Sequence, residues 1–159
     1  MARYMPPAEK IPRLTRLKSS ARNRDDVLRG LKEIGGPSTT KEYSICITIW
    51  GKLRPPAWRE AADLIDEMAR RRVAPDIYCY SAAISACSQA RQWQRALELF
   101  NGMEDAGVTP NEFHYSSVIT ACAKCNQADV AMKLFEGIRA RGVQLNAVVY
   151  NSASARRAR

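Results

Sequence analysis

The sequence holds one histidine, His114, in 159 residues. A lone imidazole cannot pair with a second one to ligate a metal, and no Ser/His/Asp order or glycine-rich phosphate loop accompanies it, so neither a catalytic triad nor a nucleotide-hydrolysing loop is expected. Long apolar runs are missing too. No stretch approaches the ~18 uncharged apolar residues of a spanning helix, which excludes an integral membrane protein. The five cysteines are an odd number in a chain large enough not to need staples, so reduced thiols are expected rather than a disulfide framework. Glycine and proline, at eight each, are near average, which argues against collagenous or wholly disordered character. No cofactor and no enzymatic activity are implied.

The net charge of +9 is present, but not where it would make a broad polyanion grip. Residues 1–24 hold seven Lys or Arg against Glu9 alone, and the tail adds Arg156, Arg157 and Arg159. Residues 25–155 then carry 15 basic and 15 acidic side chains. The body is neutral, so any nucleic-acid role has to rest on specific contacts.

Self-similarity decides the architecture. Laying 77–111 over 112–146 without a gap matches 13 of 35 positions, including Tyr80/Tyr115, Ser81/Ser116, Ile84/Ile119, Cys87/Cys122, Leu99/Leu134, Phe100/Phe135 and Gly107/Gly142, which is well beyond coincidence. One period earlier, Ile49, Trp58, Ala61, Leu64, Met68, Val73 and Pro75 of 42–76 fall under Ile84, Trp93, Ala96, Leu99, Met103, Val108 and Pro110. A fourth unit opens with Val149-Tyr150-Asn151-Ser152-Ala153 and is cut off in its first helix, leaving 147–159 as a truncated repeat and basic tail.

Each unit reads as two helices. Tyr80, Ala83, Ile84 and Cys87 lie on one face of the first, and Trp93, Ala96, Leu97, Phe100 and Met103 form a stripe on the second. Pro55 and Pro56 separate the two helices of the first unit, and Gly107 and Gly142 fall where a second helix ends in a left-handed cap. A single hairpin cannot bury both stripes. The expected fold is therefore all-α, a solenoid of stacked hairpins with a 35-residue repeat.

Two readings stand for each of the N-terminal segments. Residues 25–41 contain a short amphipathic helix from Asp25 to Ile34, either the second helix of a degenerate repeat or a cap, before a Gly35-Gly36-Pro37 breaker. Residues 1–24 are basic and loosely amphipathic through Ile11, Leu14 and Leu17, consistent with an organelle presequence or with a disordered basic arm.

The phrases Tyr80-Ser81-Ala82-Ala83-Ile84-Ser85-Ala86-Cys87, Ala96-Leu97-Glu98-Leu99-Phe100-Asn101-Gly102-Met103 and Gly107-Val108-Thr109-Pro110-Asn111 resemble the pentatricopeptide repeat over residues 42–151. The tetratricopeptide repeat is also a helical hairpin, but it has a period of 34 and a first-helix signature that is absent here. The resemblance implies a single-stranded RNA binder of mitochondria or chloroplasts that addresses one base per repeat. It implies that Tyr43, Tyr78 and Phe113 stack on bases. The edge readers would be Cys46 with Asp76, Ser81 with Asn111, and Ser116 with Asn146, the two Ser/Asn pairs resembling the family's adenine-preferring pair. Arg54 and Lys124 would face phosphates, with Gln89 the exception between them.

Ser and Asn both donate and accept hydrogen bonds, which suits the mixed edge of adenine independently of any family. Against base stacking stands the alternative that Tyr78 and Phe113 pack between hairpins. Against RNA binding stands a helical-repeat adaptor whose partner is a protein, and self-association through the terminal repeats is a further expectation. The Cys122-Ala123-Lys124-Cys125 spacing is expected to be core packing, since Cys122 is in register with Cys87. Asp63, Asp66 and Glu67 face Arg70 and Arg71 at helical spacing and are expected to form solvated ion pairs rather than a metal site.

Overall fold

A computed structural model describes residues 5–144. Its helices, in chain order, are α1 (Pro7–Ser20), α2 (Arg24–Ile34), α3 (Thr40–Lys52), α4 (Trp58–Arg70), α5 (Ile77–Gln89), α6 (Trp93–Asp105), α7 (Glu112–Lys124) and α8 (Ala128–Ala140); no strand occurs among the described residues. The odd-numbered helices pack side by side, α1 on α3, α3 on α5 and α5 on α7, and each even-numbered helix packs on the one before it. The protein is an all-α solenoid of stacked hairpins. Asn146, the Val149–Ala153 phrase and the C-terminal arginines lie outside the described residues.

Local chemistry sets the helix ends. The side chains of Thr39, Asp76 and Asn111 accept backbone N–H groups from Glu42, Cys79 and Phe113 at the first turns of α3, α5 and α7, caps worth ~1 kcal/mol each. At the other ends, Val73, Val108 and Val143 donate to the carbonyls of Met68, Met103 and Ile138, while Arg72, Gly107 and Gly142 donate to those of Ala69, Glu104 and Arg139. That pair of bonds requires a left-handed residue before each valine. Gly107 and Gly142 supply it at φ +72° and +70°, whereas Arg72 adopts +57° with a side chain attached.

The stripes meet as expected. Tyr80, Ala83, Ile84 and Cys87 are buried, as are Ala96, Phe100 and Met103, and Phe100 meets Tyr115 of the next hairpin edge to face at 4.8 Å. The second-helix layer is crossed by an ion pair at each junction: Arg24 with Glu60 at 2.6 Å, Arg95 with Asp66, and Arg141 with Glu104.

Two expectations are corrected. Residues 7–20, which the sequence suggested could be a disordered arm, form α1, because Leu14 reaches a small core with Ile34 and Cys46 and Lys10 pairs with Glu42. The first unit also does not keep the 35-residue period. Second helices start at Trp58, Trp93 and Ala128, a steady 35 apart, but first helices start at Thr40, Ile77 and Glu112, which are 37 and then 35 apart. The two extra residues lie in the turn at 53–57, where the later units use 90–92 and 125–127.

Candidate nucleic-acid interface

The two-residue excess moves the first unit's site residues. Counted from the helix starts, Tyr78 and Phe113 correspond to Lys41, Ser81 and Ser116 to Ser44, and Gln89 and Lys124 to Lys52. Tyr43 instead corresponds to Tyr80 and Tyr115, and Cys46 to Ala83.

The geometry agrees with that register. Tyr43 is 0% exposed and its hydroxyl donates to Glu67 Oε1 at 2.9 Å. Tyr80 likewise donates to the Gly102 carbonyl at 3.2 Å, and Tyr115 accepts from Arg141 Nη1 at 3.1 Å. These tyrosines tie each first helix to the end of its second helix. Burial, helped by Glu67, pushes the Tyr43 phenol up to about 12, so it stays a neutral donor. Cys46 is also 0% exposed, and burial lifts its thiol to about 12. Neither residue can touch a base, and both assignments are withdrawn.

Arg54 is corrected as well. It falls in the 53–57 turn, out of register with Lys124, and its Nη1 donates to the carbonyls of Gly51, Lys52 and Leu53 at the end of α3. Lys52 and Lys124 are the exposed cations at equivalent places on α3 and α7.

What remains forms one edge of the odd-helix layer. Tyr78 is 71% and Phe113 50% exposed. Lys41 is exposed at the same place on α3. Just inside lie Ser44, Ser81 and Ser116, each half-buried, flanked by the capping residues Asp76 and Asn111. The Ser81 hydroxyl donates to the Ile77 carbonyl at 2.7 Å and lies 2.8 Å from His114 Nε2. His114 Nδ1 in turn accepts from the Asn111 backbone N–H at 3.2 Å and lies 2.7 Å from Asn111 Oδ1. A histidine that the sequence offered only as a negative therefore bridges the two polar residues of the second unit.

The other constellations have packing and ion-pair partners within the protein. All five cysteines are free, and burial raises the Cys87 and Cys122 thiols to about 12 and 11, while Cys125 Sγ donates to the Arg91 carbonyl at 3.1 Å. Glu67 pairs with Arg71 at 3.0 Å, but Asp66 reaches Arg95 on the next hairpin rather than Arg70. Among the described residues no group of three His, Cys, Asp or Glu is placed to hold a metal, and no helix is long and apolar enough to cross a membrane.

Comparison with known proteins gives the context. Residues 63–125 match the family described as pentatricopeptide repeat domain and residues 113–143 match the PPR repeat. No curated protein matches the chain. Among solved structures, the chain is similar to the pentatricopeptide repeat protein PPR10 in complex with an 18-nt psaJ RNA element, with 28% identity and a TM-score of 0.70 over 88% of this chain and 21% of that one. PPR10 from maize also aligns, with 23% identity and a TM-score of 0.56 over 92% and 26%. The PPR domain of Arabidopsis thaliana protein-only RNase P 1 in complex with tRNA shares the fold at a TM-score of 0.71 and 14% identity, over 89% of this chain and 75% of that domain. The chain spans about a fifth of PPR10.

Proposed function

Since the chain belongs to the pentatricopeptide repeat family, we propose that it binds single-stranded RNA along the edge of the odd-helix layer, one base per repeat. The observation that carries the proposal is the exposure of Tyr78 and Phe113 beside the Ser/Asn pair of the second unit. An exposed ring next to hydrogen-bonding side chains offers a base both a face and an edge. The 28% identical PPR10 was solved with RNA, which supports the same use here.

Each pair has its own chemistry. Ser81 with Asn111 combines a hydroxyl and a carboxamide, which can satisfy the acceptor N1 and the donor amino group of adenine. Ser116 with Asn146 would do the same in the third unit. Ser44 with Asp76 differs, because an ionised carboxylate only accepts. Guanine presents two adjacent donors, N1–H and the N2 amino group, so the first unit favours guanine. Lys52 and Lys124 would face phosphates.

The energetics keep the ambition modest. Three stacked nucleotides return on the order of 3–9 kcal/mol, and association costs at least ~4 kcal/mol. Binding is accordingly weak and salt-sensitive, and it serves RNA processing or stability in mitochondria or chloroplasts, the family's usual setting. We read the chain as a binding module, not an enzyme.

Fluorescence anisotropy with short labelled RNAs across a salt series tests this. Replacing Ser81 and Ser116 by Asn is expected to move preference from A toward pyrimidine at two adjacent positions. Asp76→Asn is expected to move the position beside them from G toward A. Binding that ignores all three changes would favour the adaptor reading, with protein as the partner.

A further inference from the structure

The body of the chain is neutral, yet four arginines meet at one place in it. Arg22 and Arg24 around the start of α2, Arg54 in the turn at 53–57 and Arg59 in the first turn of α4 line a cavity of about 460 Å³. Its one acidic lining residue, Glu60, is taken up by Arg24 at 2.6 Å. Arg22, Arg54 and Arg59 have no counter-charge on the lining. Two of these three are also held in place. Arg54 Nη1 donates to three carbonyls at the end of α3, which leaves the N–H groups of Nε and Nη2 for a ligand. Arg59 lies over the Trp58 ring, with Cζ 5.2 Å from its centroid, so the edge of its guanidinium stays available. Ala57 gives α4 no side-chain cap, and the uncapped N–H groups of that first turn add positive charge to the same wall.

Register sets this junction apart from the two that follow. Counted from the starts of the second helices, Arg59 corresponds to Gln94 and then to Asp129, and Arg24 to Trp58 and then to Trp93. The later turns, 90–92 and 125–127, carry Arg91 and no cation respectively. Arg54 belongs to the longer turn that only the first unit has. The residues that break the 35-residue period are therefore the ones that complete the cluster.

We propose that this cavity is a phosphate site, which takes a phosphate group of the RNA bound along the array. Planar guanidinium forks pair with two phosphate oxygens at a time, and a phosphate has enough acceptor oxygens for several forks to share it. The turn begins directly after Lys52, so a backbone that passes Lys124 and Lys52 arrives at the cavity. The inference rests on the RNA-binding reading and adds to it an anchor that holds the strand by charge, without reading a base.

Modification of arginines by phenylglyoxal, read residue by residue by mass spectrometry on the whole wild-type chain, tests this without any variant. The probes are a short RNA with hydroxyl ends, the same RNA phosphorylated at either end, and inorganic pyrophosphate, with anisotropy reporting how much RNA is bound. RNA at ~10 times its Kd is expected to slow the modification of Arg22, Arg54 and Arg59 by up to about tenfold. Arg70 and Arg139, exposed in the last turns of α4 and α8, should react as before. Equal protection by the three RNAs supports the site with an internal phosphodiester in it, and stronger protection by one phosphorylated strand supports it with that terminus. RNA that binds and leaves the cavity arginines no better protected than Arg70 and Arg139 overturns the site while RNA binding stands. If no RNA binds, both readings fail, and protection by pyrophosphate alone would then mark a pocket for free phosphate instead. A second measurement uses Arg22→Gln with Arg59→Gln, which spares Arg24 and Arg54 and their bonds within the protein. The pair should lower the salt slope of RNA binding by about 0.7, the counterions of one phosphate on a single strand, with base preference unchanged. Arg70→Gln with Arg139→Gln removes the same charge elsewhere and should leave the slope alone; equal slopes for the two double variants would also overturn the proposal.

Discussion

Tyr43 and Tyr80 occupy the same place on successive first helices although 37 residues separate them, and both send their hydroxyls to the last turns of the paired second helices. That correspondence puts Ser44, rather than Cys46, in register with Ser81 and Ser116. Ser44→Asn is expected to change the base preferred by the first unit by roughly tenfold, one hydrogen-bonding pair's worth, with little change in stability. Cys46→Ser, which buries a hydroxyl at a fully enclosed site, is expected to cost about 1–3 kcal/mol of stability and leave base preference alone. Anisotropy and urea unfolding on the two variants check the register, and the opposite pattern would restore the ungapped one.

The exposed rings give a separate expectation. Tyr78→Ala and Phe113→Ala remove side chains that are 71% and 50% exposed, so the melting temperature should hardly move. RNA affinity should fall by ~1–3 kcal/mol for each. A large loss of thermal stability with unchanged affinity would mean that the rings pack rather than stack.

Most of the fold was legible because it is written in repeated stripes: Tyr80 with Cys87, and Trp93 with Met103, have a period that only a stacked helical hairpin buries. The error came from the turn at 53–57, where two residues were added without disturbing the second-helix register that dominates an ungapped match. A signal was present in the Tyr-Ser dipeptides at Tyr43-Ser44, Tyr80-Ser81 and Tyr115-Ser116, whose spacing is 37 and then 35. The bridging position of His114 was not legible at all. It depends on the side-by-side packing of α5 and α7 bringing the ring to Ser81, 33 residues away, and a single histidine carries no pattern.

His114 also makes stability depend on pH. Burial holds its pKa below the ordinary 6.5, against a smaller opposing effect from the Ile77 carbonyl. As pH falls below ~6.5, the unfolded chain takes up this proton before the folded one, so the native state loses stability. Above ~7.5 the histidine contributes no slope. Urea midpoints for wild type and His114→Gln between pH 5.5 and 8, above most carboxylate titrations, should diverge only in the acid half, with wild type falling faster, by at most about 1.4 kcal/mol per pH unit. Parallel curves would show that the ring titrates as it does in the unfolded chain.

Lys10 and Glu42 hold α1 to α3 from inside. Lys10 Nζ lies 3.7 Å from Glu42 Oε2 and donates to the Gly36 carbonyl at 3.0 Å, and Glu42 Oε2 accepts from the Ser38 N–H and hydroxyl at 2.8 and 3.0 Å. Lys10→Met leaves a fully buried carboxylate without its cation and should cost about 3–5 kcal/mol. Adding Glu42→Met should recover most of that, because an apolar pair of similar volume has no charge to desolvate. A double variant no better than Lys10→Met alone, by thermal unfolding, would show that the hydrogen bonds to Ser38 matter more than the pair.

Arg72 carries a cost its counterparts avoid. It ends α4 at φ +57°, where the next two units place Gly107 and Gly142. A side chain in the left-handed region costs ~1–2 kcal/mol, and a glycine there instead loses ~0.4–1 kcal/mol to the greater freedom of the unfolded chain. The balance favours glycine by about 0.5–1 kcal/mol. Arg72→Gly should therefore raise the urea midpoint at an unchanged slope, and Gly107→Arg should lower it by a similar amount. Because Arg72 is exposed, little packing is lost in the exchange. If Arg72→Gly lowered the midpoint, the arginine side chain would be contributing a contact larger than the backbone strain it imposes.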